Sequence, residues 1–196
     1  MQYTADDIKY LQSFREKIDY DPIKCKQKIK ELLLGNKHIL HVLNNKELEK
    51  VQAEPSDYYL INIMPYYVVE PTQTNVQNFI TFQVSYTEIP QYNKSMKFLQ
   101  IIFVVLCHVG NITEEATSLN RHDLLGALIQ DQFNFTNICG KKIKLVEDKE
   151  IVVDNDYIGR QMVFEQLTDN NFVRTKNDIA RLSNKEPYAE IPQSED

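Results

Sequence analysis

Tryptophan is absent from this 196-residue chain, and glycine is scarce, with five residues and no cluster. A phosphate-binding loop needs closely spaced glycines so that the backbone can approach the anion, so nucleotide chemistry of that kind is not expected. Cysteine is also scarce. Cys25, Cys107 and Cys139 are odd in number and irregular in spacing, which does not read as a disulfide framework. Cys107 lies within an apolar run and reads as a small core hydrophobe, and the set fits a reducing cytoplasm. Long apolar runs are missing: the most apolar segment, Phe98 to Val109, has twelve residues, whereas a membrane span needs about 20. Residues 1–19 are polar and charged, so no signal peptide is expected. Basic excess is missing too. With 22 Lys+Arg against 28 Asp+Glu, the formal charge is −6, a balance that disfavours a free-standing nucleic-acid binder.

What is present fits a soluble globular protein: 42% hydrophobic and 26% charged residues predict one main domain with a smaller appendage. Residues 1–50 read as a helical arm. Thr4 suits an N-cap before Ile8, Leu11, Phe14 and Ile18, which follow the helical period. Asp21-Pro22 suits the start of a second helix with Ile29, Leu32 and Leu33 on its apolar face and Gly35 at its end. Asn36 can cap a third, short helix that Asn44-Asn45 breaks. Residues 51–77 are a Tyr/Pro-rich connecting segment, with a short strand expected over Tyr58–Ile63 and an extended docking piece between Pro65 and Pro71.

Residues 78–169 read as the core domain. Ile80, Phe82, Val84 and Tyr86 alternate with Thr81, Gln83, Ser85 and Thr87, the pattern of a half-buried strand. After a polar connection from Pro90 to Ser95, Met96–Val109 is apolar on both faces and reads as a central strand. A helix is predicted from about Leu119 to Phe133, then short strands at Lys142–Val146, Glu150–Val153 and Tyr157–Leu167. The fold class is α+β: a mainly antiparallel sheet with one helix packed on a face, preceded by the helical arm. Residues 170–196 read as a flexible acidic tail; from Asn177 onward they carry five acidic and two basic side chains.

Catalytic and metal-binding residues are not expected. No G-x-S-x-G or H-E-x-x-H occurs. His38 and His41 stand three apart on a predicted helix, but nothing nearby completes a ligand set, and they read as helix-surface histidines. His122-Asp123 reads as the polar first turn of a helix rather than an acid–base pair, and His108 as a satisfied core histidine. Lys24, Lys26, Lys28 and Lys30 form the one basic cluster; at every second position they spread around a helix, and a solvated face is the plain reading. Eleven tyrosines are more informative. Tyr58, Tyr59, Tyr66, Tyr67 and Val68 are the candidate interface residues, because tyrosine offers contact area with a polar tip. Packing of the arm on the sheet is the equal alternative.

From Asn78 to Asp169 the chain resembles the tail-terminator and tail-completion proteins of bacteriophages. The pieces that carry the likeness are Phe79-Ile80-Thr81-Phe82-Gln83-Val84, the apolar stretch Leu99 to Leu106, the basic-x-Asp-Leu helix opening Arg121-His122-Asp123-Leu124, Gly140, and Asp156-Tyr157-Ile158-Gly159-Arg160-Gln161-Met162-Val163-Phe164. The resemblance implies a virion structural protein of the head–tail junction, made in the host bacterial cytoplasm. Its partners would be copies of itself in a ring and neighbouring portal, connector or tail proteins. DNA would pass through the lumen without sequence-specific binding, and no membrane, cofactor or catalysis would be involved. The helical arm, the Tyr/Pro segment and the acidic tail depart from the family's minimal plan. The alternative is a soluble protein–protein interaction module, an adaptor or inhibitor, outside a virion.

Overall fold

The structure, a computed structural model of the full chain, describes residues 4–15, 21–67, 76–87 and 96–169. Val68, the Pro90–Ser95 connection and the tail from residue 170 lie outside the described residues. The described residues fall in two units, 4–15 and 21–169. In the first, helix α1 (Ala5–Gln12) starts as its sequence predicts: the Thr4 hydroxyl accepts from the Asp7 amide, and the Asp7 carboxylate accepts from the Thr4 amide. Both orphan donors are thereby satisfied.

The second unit is an α+β fold. Its sheet has the order β1-β2-β3-β5-β4, from β1 (Ile63–Met64), β2 (Asn78–Thr87), β3 (Met96–His108), β4 (Lys144–Val152) and β5 (Tyr157–Asp169). β1 runs parallel to β2 and all other pairs are antiparallel. The central position of β3 follows from its sequence. Leu99, Ile101, Phe103, Val105 and Cys107 enter the main core, while Val104 and Leu106 join Met64, Phe79 and Tyr157 on the opposite face. Phe103 anchors the main core beside Phe133 and Phe164, with ring centroids 4.9 and 5.6 Å away. Burying one such side chain stabilises the fold by about 1.5–3 kcal/mol.

Helix α5 (Arg121–Phe133) covers the main face through Leu125, Ile129 and Phe133. It is not alone there. Helices α2 (Asp21–Gly35) and α3 (Lys37–Leu43) bury Cys25, Ile29, Leu33, Ile39 and Leu43 in the same core. The boundary expected at residue 50 therefore does not fall at a break in packing: the stretch from residue 21 is part of the fold and not an arm waiting for partners. Capping is as the sequence predicts. The Asn36 side chain accepts from the His38 and Ile39 amides, and Asn44 takes the left-handed conformation that ends α3. Asn45 then caps the short α4 (Lys46–Lys50).

Two elements differ from expectation. The two short strands expected at 142–146 and 150–153 are one strand, β4, whose ladder with β5 shifts register between Leu145 and Glu147. The charged run Glu147-Asp148-Lys149-Glu150 stays in the strand because β4 is an edge, where charged side chains face water. The strand expected over Tyr58–Ile63 is instead a 3-10 turn, Pro55–Tyr58, and a bend through Leu60 at φ +66°. Only Ile63 and Met64 pair with the sheet. The cysteines differ as well. Cys25 of α2 and Cys139, after α5, are joined in a disulfide 114 residues apart in sequence, with Cα atoms 5.3 Å apart. Their pairing is made by packing of α2 beside the 134–143 segment, a long-range fact that spacing does not encode.

Candidate interaction surface

The surface is built on a buried asparagine relay. Asn62 and Asn78 are fully buried and Asn45 nearly so. Asn45 Nδ2 donates to Asn62 Oδ1 at 2.7 Å, Asn62 Nδ2 to the Asn78 carbonyl at 2.8 Å, and Asn78 Nδ2 to the Leu43 carbonyl at 3.0 Å. Buried polar groups are costly unless paired, and here the pairing fixes the 58–64 bend between the helices and β2. Backbone bonds from the Ile80 amide to the Asn62 carbonyl and from the Asn62 amide to the Tyr58 carbonyl complete the anchor.

What the anchor presents is apolar. Leu60, Ile61, Tyr66 and Tyr67 are 54, 41, 45 and 42% exposed within eight residues of chain. Scattered single apolar residues are ordinary on a surface; four within one short segment make it the candidate interaction surface. Helix α2 holds the cluster from below. Lys26 Nζ donates to the Pro65 carbonyl at 2.9 Å, and Lys30 Nζ sits 4.0 Å from the centre of the Tyr59 ring. Burial, and then the nearby Tyr66, push the Tyr59 phenol above its usual pKa, so the ring stays neutral under its cation. Tyr67 also lines a groove of about 290 Å³ on the open face of the sheet, with Thr81, Gln83, Ile102, Val104 and Gln161. The arrangement offers contact area, hydroxyl tips and the ammonium groups of Lys26 and Lys30.

The five interface candidates thus separate. Tyr66 and Tyr67 are on the surface, and Tyr59 is half-buried beneath Lys30. Tyr58 is a correction: at 6% exposure it belongs to the core, because the 3-10 turn points it inward, and burial followed by Glu49 raises its pKa. Val68 lies outside the described residues. Leu60 and Ile61 join the surface beside Tyr66 and Tyr67, both exposed at a bend where Leu60 takes the left-handed conformation and a strand would have alternated them.

The residues weighed for chemistry have structural positions. His38 and His41 are both exposed on α3, and His41 Nε2 lies 3.8 Å from Glu114 Oε1. Among the described residues no group of three or more His, Cys, Asp or Glu could hold a metal ion. His108 Nδ1 accepts from the Gly110 amide at 2.9 Å. The opening of α5 is more buried than a polar first turn: Arg121 and His122 are 4 and 3% exposed, and Arg121 Nη1 donates to the Val42 carbonyl at 3.3 Å. Asp123 and Arg160, far apart in the resembling motifs, meet. Arg160 bonds Asp123 on α5 at 2.5 Å and Asp148 on β4 at 2.6 Å. Gly126 makes room, since a Cβ there would lie 2.7 Å from Arg160 Cδ. This clamp ties helix to sheet. Lys28 likewise bonds a backbone carbonyl, that of Ile138, at 3.1 Å. The basic cluster of α2 is therefore partly used in holding the fold.

Among the described residues no helix is long and apolar enough to cross a membrane. No curated protein matches the chain. The family profile described as YomW matches residues 36–166, about two thirds of the chain, beginning at the cap of α3 and running through β5 to Gln166. The chain belongs to the YomW family, a phage-associated family.

Proposed function

We propose that this protein is a structural subunit of the bacteriophage head–tail junction, without catalysis or cofactor. Copies of the chain would form a ring that joins portal or connector to tail and surrounds the DNA passage. The observation that carries this reading is the fixed, exposed cluster of Leu60, Ile61, Tyr66 and Tyr67 on a protein of a phage-associated family. A closed ring needs heterologous contacts, one face of a subunit against a different face of the next. An apolar and tyrosine-rich projection anchored by a buried polar relay is suited to be one such face. The net charge of −6 suits a passage for DNA, because a wall without basic excess repels phosphate and does not retain it. The protein would be made in the host bacterial cytoplasm and reside in the virion.

The test is genetic and structural together. A phage carrying an early stop codon in this gene should yield filled heads and separate tails under the electron microscope, and supplying the full chain in trans should restore joined particles. Normal joined particles without the chain would overturn the proposal.

A further inference from the structure

We infer that Cys25 and Cys139 form a redox-operated staple, open while the protein is in a reducing cytoplasm and closed once it meets an oxidising medium. The two cysteines are held together by more than their own bond. One turn of α2 beyond Cys25, Lys28 Nζ bonds the carbonyl of Ile138 at 3.1 Å, and Gln166 Nε2 on β5 bonds the carbonyl of Cys139 at 2.9 Å. These contacts keep the pair adjacent when the sulfurs are reduced, so closure needs no refolding.

The two sulfurs differ in access. Cys25 is 1% exposed, whereas Cys139 is half-buried. Cys139 is therefore the sulfur that meets a small-molecule disulfide. Its thiolate attacks one sulfur of RSSR to give a mixed disulfide, and the first RS− leaves and takes up a proton. The Cys25 thiolate then attacks the Cys139 sulfur and expels the second RS−. In sum, two protein thiols and one RSSR become one protein disulfide and two RSH. Cys107 does not compete: it is fully buried, and burial pushes its thiol up to about 12, so it is protonated and shielded.

The staple bears on the interaction surface through α2. Cys25 adjoins Lys26, which holds the Pro65 carbonyl, and lies one turn and a little more from Lys30, which covers Tyr59. Closing it fixes α2 to the segment after α5 and so stiffens the support of Tyr59 and Tyr66. The timing, open at assembly and closed in released particles, rests on the virion reading; the closure itself does not.

Two measurements test this. The purified full chain, equilibrated in reduced or oxidised glutathione and then alkylated, should be read by intact mass. In the oxidised buffer the native protein should become lighter by two hydrogens and take up no label until denatured, when Cys107 alone reacts. Its melting temperature should rise by at least about 5 °C over the reduced form, and Cys139→Ser, at the accessible sulfur, should abolish both effects. Continued labelling of Cys139 after oxidation, or equal melting temperatures, would overturn the staple. In acid-quenched samples, cell extracts taken before lysis should hold the thiols and released particles the disulfide; the same state in both would overturn the switch. Absence of the chain from particles would count against the virion reading while leaving the glutathione result standing.

Discussion

Replacing Asn62 with Ala removes the middle of the asparagine relay and nothing of the backbone. The Ile80 and Tyr58 backbone bonds to residue 62 stay, but Asn45 Nδ2 loses its acceptor and the Asn78 carbonyl loses a donor. A buried donor left without a partner costs about 1–3 kcal/mol, and a lost buried hydrogen bond about 1 kcal/mol more. The small void from three missing heavy atoms adds to this. A destabilisation of about 3 kcal/mol is expected, or a fall in melting temperature of roughly 6–12 °C for a chain of this size. Urea titration followed by circular dichroism measures it, with Asn36→Ala at the half-buried N-cap of α3, a cap loss of about 1 kcal/mol, as the comparison. A loss below about 0.5 kcal/mol for Asn62→Ala would refute the claim that the relay fixes the bend, and with it the account of why Leu60 and Tyr66 project.

Three further outcomes are expected. The double variant Tyr66→Ala, Tyr67→Ala should change unfolding free energy by no more than about 0.5 kcal/mol, because both rings are exposed, yet it should lower incorporation of the chain into particles; equal incorporation would remove these rings from the interface. Gly159→Ala should destabilise by about 1–3 kcal/mol, since a Cβ there would collide with the Val105 carbonyl oxygen across the β3–β5 ladder; an unchanged urea midpoint would show the ladder to be looser than described. The Thr117 hydroxyl and the Ala116 and Thr117 amides hold the Glu114 carboxyl down at about 2, against an ordinary 4.5. A depressed folded value means that its stabilisation is complete above about pH 4.5 and is lost as pH falls toward 2. Glu114→Gln should flatten the pH dependence of the urea midpoint across that window, and a slope identical to the wild type would contradict the assignment.

The parts of the fold legible in sequence are those where one physical signal dominates. Alternation at Ile80, Phe82 and Val84 marks one buried face of β2, and the two-sided apolar run of Leu99 to Cys107 marks the centre of the sheet. Caps at Thr4 and Asn36 depend on local chemistry and are where the sequence places them. Legibility ends where distant residues decide. Glu147 to Lys149 look like a loop until β5 is seen to pair with them. Asn45, Asn62 and Asn78 look like turn and surface residues, yet each is buried and paired: Asn45 to Asn62, Asn62 to the Asn78 carbonyl, and Asn78 to the Leu43 carbonyl. The candidate surface suffers most from this. The tyrosine richness of 58–67 is visible in the sequence, but which rings face outward depends on the 3-10 turn at Pro55–Tyr58 and the left-handed bend at Leu60, which typical β-propensity does not predict. Cys25 and Cys139 meet only because α2 packs on the core and does not extend away from it.

The central claim concerns where this chain sits, and reconstruction of the head–tail junction by cryo-electron microscopy at side-chain resolution tests it most directly. The account predicts a closed ring of this α+β fold between portal and tail, with Leu60, Ile61, Tyr66 and Tyr67 of each copy against a neighbouring protein and Tyr58 inside its own core. A junction complete without this chain would contradict it, and so would a ring in which that cluster faces solvent.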